Sequence, residues 1–377
     1  MKRTAVIFAI TALLISLPLI VSCNAAPANI SDNQSTPTVQ APTDNQTYEL
    51  TYSVFFPPVH KNTILAQKFC DEIKTRTKGK VNITVFSGGT LTKAPQVYDG
   101  VLNGLSDMGM SVVSYTVGRF PASELVELPH GYINGWVATK VANDFYNEFK
   151  PKEFDNVHVL YFHAHGPSVI FSTKKPVRQM EDLKGMVIRS TGVGASIIGA
   201  LGGQGYAAAQ GEAYELMSKG TIDGSYTPRE TLEGWKQAEV VKYVTECPEV
   251  GSTANMYVVM NKDKWNSFSP DIQNIFTQVS NEWIEKHGKT WTNYDISAIQ
   301  YFKSFEGREI IALSPGESAK WVQATQPLKE SYLKERTAKG LPADQYEKYL
   351  VERAKYWAGK SPTDQTCIDF VKSEFAK

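Results

Sequence analysis

The sequence predicts an α/β protein with two similar lobes, and three of its features support this fold class. Segments with strand periodicity alternate with segments of helical periodicity, which is typical of βαβ units. A short pattern of Tyr, Gly and Asp occurs twice, which suggests two related lobes. Finally, the segment from Pro270 to Phe305 has the apolar spacing of one extended helix.

The elements follow in order along the chain. Strands at Tyr48–Phe55 and Val81–Phe86 flank an amphipathic helix at Asn62–Thr77. Further strands are predicted at Met108–Val113, Val157–Phe162, Val187–Ser190, Thr253–Val259 and Glu309–Leu313. From Pro315 to Lys377 the chain is charged and helical, with a turn at Gly340-Leu341-Pro342 and a cap at Ser361-Pro362.

The repeated pattern has the form Y-x5-G-x2-D. Its two copies are Tyr98…Gly104…Asp107 and Tyr214…Gly220…Asp223. The glycine suits a left-handed helix stop and the aspartate suits a tight turn into a strand. Two copies predict two α/β lobes, although a chance match of three positions is the alternative.

Composition excludes several classes. The chain has 377 residues, and its 39 Lys and Arg balance its 39 Asp and Glu. This balance argues against a nucleic-acid-binding protein, which needs a basic face to neutralise phosphates. Four cysteines in so long a chain are too few for a disulfide framework.

Residues 1–22 have the features of a signal peptide. Lys2-Arg3 is a basic start, and Ala5 to Leu19 is apolar but too short for a comfortable membrane span. The segment ends in Ile20-Val21-Ser22-Cys23, which resembles a bacterial lipobox. We therefore expect Cys23 to carry the lipid and become the mature N-terminus; ordinary secretion is the alternative. The rest of the chain has no second apolar run of the ~18 residues that a span needs.

Residues 24–47 are rich in Pro, Asn, Gln, Ser and Thr and contain no aromatic residue, Lys or Arg. Such a segment cannot bury enough apolar area to offset the entropy lost on ordering. We expect residues 23–47 to be a lipidated, disordered tether to a folded body that starts at Tyr48.

Several motifs of that body resemble one known family. They are Met180 to Arg189 (MEDLKGMVIR), Leu201-Gly202-Gly203, Glu212-Ala213-Tyr214 and Gly220 to Gly224 (GTIDG). Together they resemble the signature of the solute-binding receptors of tripartite ATP-independent periplasmic (TRAP) transporters, the DctP family. The N-terminal half keeps the family's order as well, so the resemblance covers about residues 48 to 315.

The resemblance implies a two-lobe periplasmic binding protein fold, with a long helix spanning both lobes and a small organic acid held between them. The implied boundaries are 48–165 with about 255–290 for lobe I, 166–254 with about 291–315 for lobe II, and 316–377 for helices that pack on the lobes. The receptor would act on the periplasmic side of a bacterial membrane, anchored through Cys23. It would deliver its ligand to the membrane permease subunits, without cofactor, metal or enzymatic activity.

Arg189 matches the family's ligand-clamping arginine. A guanidinium is always charged and offers a planar fork for two carboxylate oxygens, which lysine cannot reproduce. A solvated charge at the end of a strand is the alternative. The apolar Val187 and Ile188 before Arg189, and the tight Ser-Thr-Gly loop after it, disfavour that alternative.

Departures from the sialic-acid-type members bear on the ligand. Ser168 stands where those members have a second arginine, and Thr227 stands where they have an asparagine, so the pocket loses a charge and an amide. The His-x-His-Gly-Pro and Thr-Pro-x-Glu…Gly-Trp-Lys variants resemble a subgroup associated with aromatic carboxylates. The predicted ligand-binding residues are Arg189, Phe55, His60, Tyr115, His165, Ser168, Tyr206, Tyr226, Thr227 and Asn255.

Structural roles are the alternative for most of this set, because aromatic side chains lie more often in cores than in pockets. Trp235, in a helix predicted from Thr231 to Ala238, is assigned to packing. His165 is a candidate hydrogen-bond donor to a carboxylate or a structural residue. Asn255 is a polar candidate where the second crossing strand enters the cleft.

Two other functional classes compete with the transport receptor. An enzyme is disfavoured because H-E-x-x-H, G-x-S-x-G and phosphate-binding glycine motifs are missing, and His163-x-His165 lacks a third metal ligand. A lipid-tethered sensor without a permease is not separated by the sequence. Cys70 is expected to be buried and inert, whereas Cys247 and Cys367 could be paired or free.

Overall fold

A computed structural model describes residues 46–376, so the predicted signal peptide, Cys23 and most of the tether lie outside the described residues. The strands are β1 Tyr48–Val54, β2 Val81–Phe86, β3 Met108–Val112, β4 Val157–Ala164, β5 Val169–Ser172, β6 Val187–Ser190, β7 Gln204–Ala207, β8 Gly224–Thr227, β9 Tyr243–Glu246, β10 Asn255–Asn261 and β11 Glu309–Ala312. The α-helices are α1 Lys61–Arg76, α2 Val97–Leu102, α3 Gly135–Phe149, α4 Val193–Ala200, α5 Ala213–Ser218, α6 Thr231–Gly234, α7 Lys262–Asn266, α8 Pro270–Lys303, α9 Pro315–Ala338, α10 Ala343–Ala358 and α11 Asp364–Phe375.

The strands between residues 46 and 376 form two sheets, and each sheet is the centre of one lobe. Lobe I contains the order β2-β1-β3-β10-β4, in which β10 enters antiparallel between β3 and β4. Lobe II contains the order β11-β9-β5-β8-β6-β7. The predicted two-lobe α/β class is therefore confirmed, while the exact lobe boundaries stay a prediction.

The two copies of the repeated pattern occupy equivalent positions in the two sheets. Gly104 and Gly220, with φ of 74° and 71°, end short helices in the left-handed conformation. The carboxylate of Asp107 accepts the backbone N–H of Thr51 on β1 at 2.8 Å. The carboxylate of Asp223 accepts that of Val187 on β6 at 2.9 Å. Because each aspartate ties its turn to the adjacent parallel strand, the repetition is structural and not a chance match.

Helix α8 contacts both lobes. Its 34 residues correspond to about 50 Å of helix. In lobe I, the indole N–H of Trp283 donates to the carbonyl of Leu65 at 2.8 Å. In lobe II, Asp295 accepts the backbone N–H of Glu230 at 2.9 Å, and Phe302 packs into the apolar cluster beneath β5 and β9. The prediction of one long helix spanning both lobes is confirmed.

The C-terminal helices also bridge the lobes. On α9, Arg336 forms a buried ion pair with Glu124 of lobe I at 2.7 Å. Near the other end of α9, Glu317 accepts the backbone N–H of Met180 of lobe II at 2.6 Å. None of the helices within residues 46–376 combines the length and apolar character needed to cross a membrane.

Two details differ from the sequence predictions. The helix predicted from Thr231 to Ala238 ends at Gly234, because Lys236 adopts a left-handed φ of 56°. Strands β5, β7, β8 and β9 were not predicted from the sequence. Cys70, Cys247 and Cys367 are all buried and free, so the possible Cys247–Cys367 disulfide is absent from the described structure.

Candidate ligand-binding site

A cavity lies between the lobes, with about 470 Å³ of space between protein atoms when its opening to solvent is included. Lobe I lines it with Phe55, Phe56, Val112, Tyr115 and Met256. Lobe II lines it with Arg189, Ser190, Thr191, Gln210, Tyr226, Thr227, Pro228, Glu230, Thr231 and Trp235. The connections between the lobes and helix α8 add His165, Ser168, Ser252, Thr253, Ala254 and Trp291. The cavity thus forms at the ends of β1, β3, β6 and β8, where the two sheets face each other.

Arg189 is the third residue of β6 and is 3% exposed. Its Nε and Nη2 donate to the carbonyl of Ala208 at 3.0 and 2.8 Å, and its Nη1 donates to Oε1 of Gln210 at 2.5 Å. Within the described residues, no Asp or Glu forms an ion pair with Arg189. Burial lowers the pKa of the guanidinium, yet an arginine stays charged at neutral pH. A buried cation without a counter-ion is unfavourable, so the site favours an anionic ligand.

Gln210 connects the polar groups around Arg189. Its Oε1 also accepts from Thr227 Oγ1 at 3.2 Å, and its backbone N–H donates to the hydroxyl of Tyr115 at 3.1 Å. Its Nε2 is buried and has no hydrogen-bond partner among residues 46–376. The amide therefore offers a free donor beside the guanidinium. Gln210 was not among the predicted ligand-binding residues, although it lies just before the Glu212-Ala213-Tyr214 motif.

Aromatic rings form the apolar part of the cavity. The Phe55 ring contacts Tyr115 edge-on at 5.7 Å and stacks near Trp235 at 6.2 Å between centroids. Phe56 lies 4.0 Å from Phe55 and 5.9 Å from Trp235. Trp235 packs against these rings, as the sequence predicts, but it also lines the cavity. The early end of α6 directs it there, and the sequence pattern gave no sign of that break.

Three further predicted residues also line the cavity, with polar atoms already engaged. His165 Nδ1 donates to the carbonyl of Gly166 at 2.5 Å, and burial lowers the pKa of this imidazole to about 4. A neutral ring with the proton on Nδ1 can only accept at Nε2, so the predicted donor role of His165 is wrong. The hydroxyl of Tyr226 donates to the carbonyl of Val250 at 2.5 Å. The backbone N–H of Ser168 donates to the carbonyl of Ser252 at 2.8 Å.

The other three predicted residues do not reach the cavity. His60 is fully buried and lies behind Glu230, with its Nε2 2.9 Å from Glu230 Oε2. Tyr206 is 38% exposed on β7, an edge strand of lobe II. Asn255 turns away, with Nδ2 donating to the carbonyl of Ser123 at 3.2 Å. Alternation along a strand explains the last case, because Met256 then faces the cavity in its place.

The lobes touch each other beside the cavity. Gly192, just before α4 of lobe II, has a φ of 49°. A Cβ at this position would lie 2.6 Å from Ser114 Cβ and 2.9 Å from Glu127 Oε2, both in lobe I. Glu127 also accepts the backbone N–H of Asn255 at 3.0 Å, and burial raises the pKa of this carboxyl to about 8. Glycine is required here by both conformation and space.

Two lobes in contact around a buried, partly aromatic cavity with one uncompensated cation define a ligand-binding protein. A family comparison identifies which kind. Residues 53–335 match the model of the bacterial extracellular solute-binding protein family 7, DctP, and the chain belongs to this family. It is a TRAP-type solute-binding receptor, and the family consists of extracytoplasmic binding proteins rather than enzymes.

Individual relatives share only about a quarter of their residues with this chain. The chain is 27% identical over 230 residues to the 2,3-diketo-L-gulonate-binding periplasmic protein YiaO of Escherichia coli, covering 58% of this chain and 67% of that protein. A TRAP periplasmic solute-binding protein of Bordetella bronchiseptica, solved with bound mandelate, superposes with a TM-score of 0.76 at 26% identity. That likeness covers 82% of this chain and 99% of the other. A receptor of Rhodoferax ferrireducens, solved with copurified benzoate, has a TM-score of 0.78 at 22% identity and covers 83% and 99%.

Proposed function

We propose that this receptor captures a small aromatic or otherwise apolar monocarboxylate between its lobes and delivers it to the membrane subunits of a TRAP transporter. The observation that carries the proposal is Arg189, a buried cation that faces the cavity without a counter-ion. The ligand carboxylate supplies the missing charge, with Gln210 Nε2 as an additional donor.

The lining of the cavity limits the ligand class. Arg189 is the only Lys or Arg among the lining residues of the described chain, so one carboxylate is matched and a second would be unpaired. The rings of Phe55, Phe56, Tyr115 and Trp235 favour an apolar, planar body beside that carboxylate. The relative of B. bronchiseptica, which was solved with mandelate, supports an aromatic acid.

Isothermal titration of the purified protein against benzoate, phenylacetate, mandelate, succinate and pyruvate tests the proposal. We expect aromatic monocarboxylates to bind more tightly than succinate. Arg189→Ala should weaken every acid by at least about 100-fold, since it removes the charge partner of a desolvated carboxylate. Arg189→Lys keeps the charge but loses the planar fork, and should bind with intermediate affinity. If Arg189→Ala binds as tightly as the wild type, the assignment of the clamp is wrong.

Membrane attachment and delivery are separate parts of the proposal. Cys23 and residues 24–47 lie outside the described structure, and the lipobox-like sequence before Cys23 supports anchoring there. Metabolic labelling with palmitate should mark the wild type, whereas Cys23→Ala should be unlabelled and released from membranes. Uptake of the bound acid by cells that express the TRAP membrane subunits should require the receptor. Uptake that is independent of the receptor would instead favour the sensor alternative.

A further inference from the structure

The cavity contains a second polar region, formed by Glu230 and Trp235 at the two ends of α6. Both side chains line the cavity. His60 brings them together: its Nε2 lies 2.9 Å from Glu230 Oε2, and its ring centroid lies 5.8 Å from that of Trp235. Glu230 is hydrogen-bonded to His60, whereas Arg189 is hydrogen-bonded to Ala208 and Gln210, so within the described residues the two groups share no hydrogen-bond partner. The two polar regions are therefore distinct.

The hydrogen bonds of His60 determine which oxygen of Glu230 is left to bind another group. The backbone N–H of Asn62 donates to His60 Nδ1 at 3.2 Å, so the proton of the neutral ring is on Nε2. Burial keeps this imidazole neutral by lowering its pKa to about 3. His60 Nε2 therefore donates to Glu230 Oε2. Glu230 is 2% exposed, and its other oxygen, Oε1, has no hydrogen-bond partner in the described structure.

Trp235 contributes a second unsatisfied group. Its indole Nε1 is buried and has no hydrogen-bond partner among the described residues. An indole N–H can only donate, so it needs an acceptor. Native proteins rarely leave such groups unpaired, because each costs a substantial part of its hydration. Glu230 and Trp235 therefore both line the cavity, and in the described structure Oε1 of the first and the buried Nε1 of the second lack a hydrogen-bond partner that an entering ligand could supply.

The chemistry of the two groups selects that partner. A hydroxyl can accept from Trp235 Nε1 and at the same time donate to an ionised Glu230 or accept from a protonated one. An ammonium has only donors and leaves Trp235 unpaired, and a methyl group leaves both unpaired. We propose that Glu230 and Trp235 form a hydroxyl subsite, so that the preferred ligands are aromatic acids that carry a ring hydroxyl. This rests on the proposed function, with the carboxylate on Arg189.

The test compares each parent acid with its hydroxylated derivatives. The probes are benzoate with its three ring-hydroxylated isomers, and phenylacetate with its three, each titrated into the purified protein. We expect at least one isomer to bind about threefold to tenfold more tightly than its parent acid, the range for one net hydrogen bond. Trp235→Phe keeps a ring and removes the donor, and should reduce this ratio to about one. Glu230→Leu should reduce the ratio in the same way.

Trp291→Phe is the matched control. Trp291 lines the same cavity, but its Nε1 already donates to His163 Nδ1 at 3.0 Å. Its replacement should change parent and hydroxylated acids alike and leave the ratio intact. Because each ratio is measured within one variant, a general loss of stability does not imitate the effect.

Three results overturn the subsite. In the first, no hydroxylated isomer binds the wild type better than its parent. In the second, the preference survives both Trp235→Phe and Glu230→Leu. In the third, Trp291→Phe abolishes the preference as fully as Trp235→Phe does. Failure of the proposed function looks different, because then neither the parent acids nor their hydroxylated derivatives bind, and both proposals fall.

Discussion

Lobe I and lobe II share a folding motif but line the cavity with different chemistry. In both, a glycine-ended helix and an aspartate tie a turn to the neighbouring parallel strand, through Asp107 in lobe I and Asp223 in lobe II. Yet lobe I contributes no charged side chain to the cavity, only Phe55, Phe56, Val112, Tyr115 and Met256. Lobe II contributes the guanidinium, the amide, the carboxyl group and the threonines, along with Tyr226 and Trp235.

This difference divides recognition between the lobes. We infer that lobe II binds the polar groups of the ligand and that lobe I covers its apolar body. A ligand with only one of these features engages one lobe and does not hold the two together. Selectivity then depends on the contact between the lobes, because it places the rings of lobe I and Arg189 of lobe II around one cavity.

After the loss of Arg189 itself, the largest expected effect comes from keeping the two lobes apart. Gly192→Ala places a Cβ where Ser114 and Glu127 of lobe I approach, at a φ of 49° that disfavours alanine. We expect about 30-fold weaker binding of every acid, from a clash and strain of about 2 kcal/mol, measured by calorimetry. Gly199→Ala on α4 is the control, since a Cβ there meets nothing within 4 Å. Unchanged affinity in Gly192→Ala would show that binding does not need this contact.

The next largest effect on binding is expected at Gln210, beside Arg189. Gln210→Leu removes the partner of Arg189 Nη1 and the free Nε2 donor. Both losses act on the carboxylate, so aromatic and aliphatic acids should weaken alike, by about tenfold. Gln204→Leu, on the edge strand β7 and exposed, is the control. A loss confined to aromatic acids would contradict the assignment of Gln210 to the carboxylate.

A smaller and more selective effect on binding is expected at Phe55, one of the aromatic rings that line the cavity. Phe55→Leu keeps apolar bulk but removes the ring that contacts Tyr115 and Trp235. Benzoate should weaken about fivefold more than cyclohexanecarboxylate, because aromatic pairs add to simple burial. Phe69→Leu, in the core of lobe I and away from the cavity, should lower thermal stability without changing this selectivity. Equal losses for both acids would mean that Phe55 only fills space.

The smallest expected effect is the dependence of the free energy of unfolding on pH. Burial raises the pKa of Glu127 to about 8 and that of Asp295 to about 7, so the folded state holds protons that the unfolded state has lost. Stability therefore falls as pH rises from about 4.5 to 8. Buried histidines such as His165, whose pKa is lowered, oppose this trend only below about pH 6.5.

Between pH 6.5 and 8, the free energy of unfolding of the wild type should fall by about 1 kcal/mol or more. Glu127→Gln should flatten this decline, as followed by denaturant unfolding at several pH values. Glu181→Gln, at an exposed position, should leave the decline unchanged. A decline of the same size in Glu127→Gln would place the titrating group elsewhere.

Much of the fold follows from local patterns. Strand β2 and the long helix α8 were predicted almost residue for residue, because long periodic segments carry a strong signal. The glycine and aspartate repeat also predicted the two related lobes. Strands β5, β7, β8 and β9 were missed because strand propensity is weak where pairing with neighbouring strands decides the conformation, here β5 with β8 and β9, and β7 with β6.

The candidate site was predicted less completely. Arg189, Phe55, Tyr115, Thr227, Tyr226, His165 and Ser168 all line the cavity. Gln210, Glu230 and Trp235 were missed as cavity residues, and His60, Tyr206 and Asn255 were included although they do not reach it. Two of the errors have a clear cause. Strand alternation turns Asn255 away from the cavity, and the early end of α6 at Gly234 accompanies the placement of Trp235 on it.

The sequence by itself determined the α/β class, the paired turns, the family and an arginine that lines the cavity, because periodicity, turn glycines and motif residues are read locally. The tertiary structure decided the rest. Folding buried Arg189 without an ion-pair partner among the described residues, and the left-handed Lys236 ended α6 so that Trp235 lines the cavity. Packing also left Glu230 and Gln210 with unpaired atoms. Whether a polar atom lacks a hydrogen-bond partner depends on which distant residues pack around it, so only the folded chain shows such atoms.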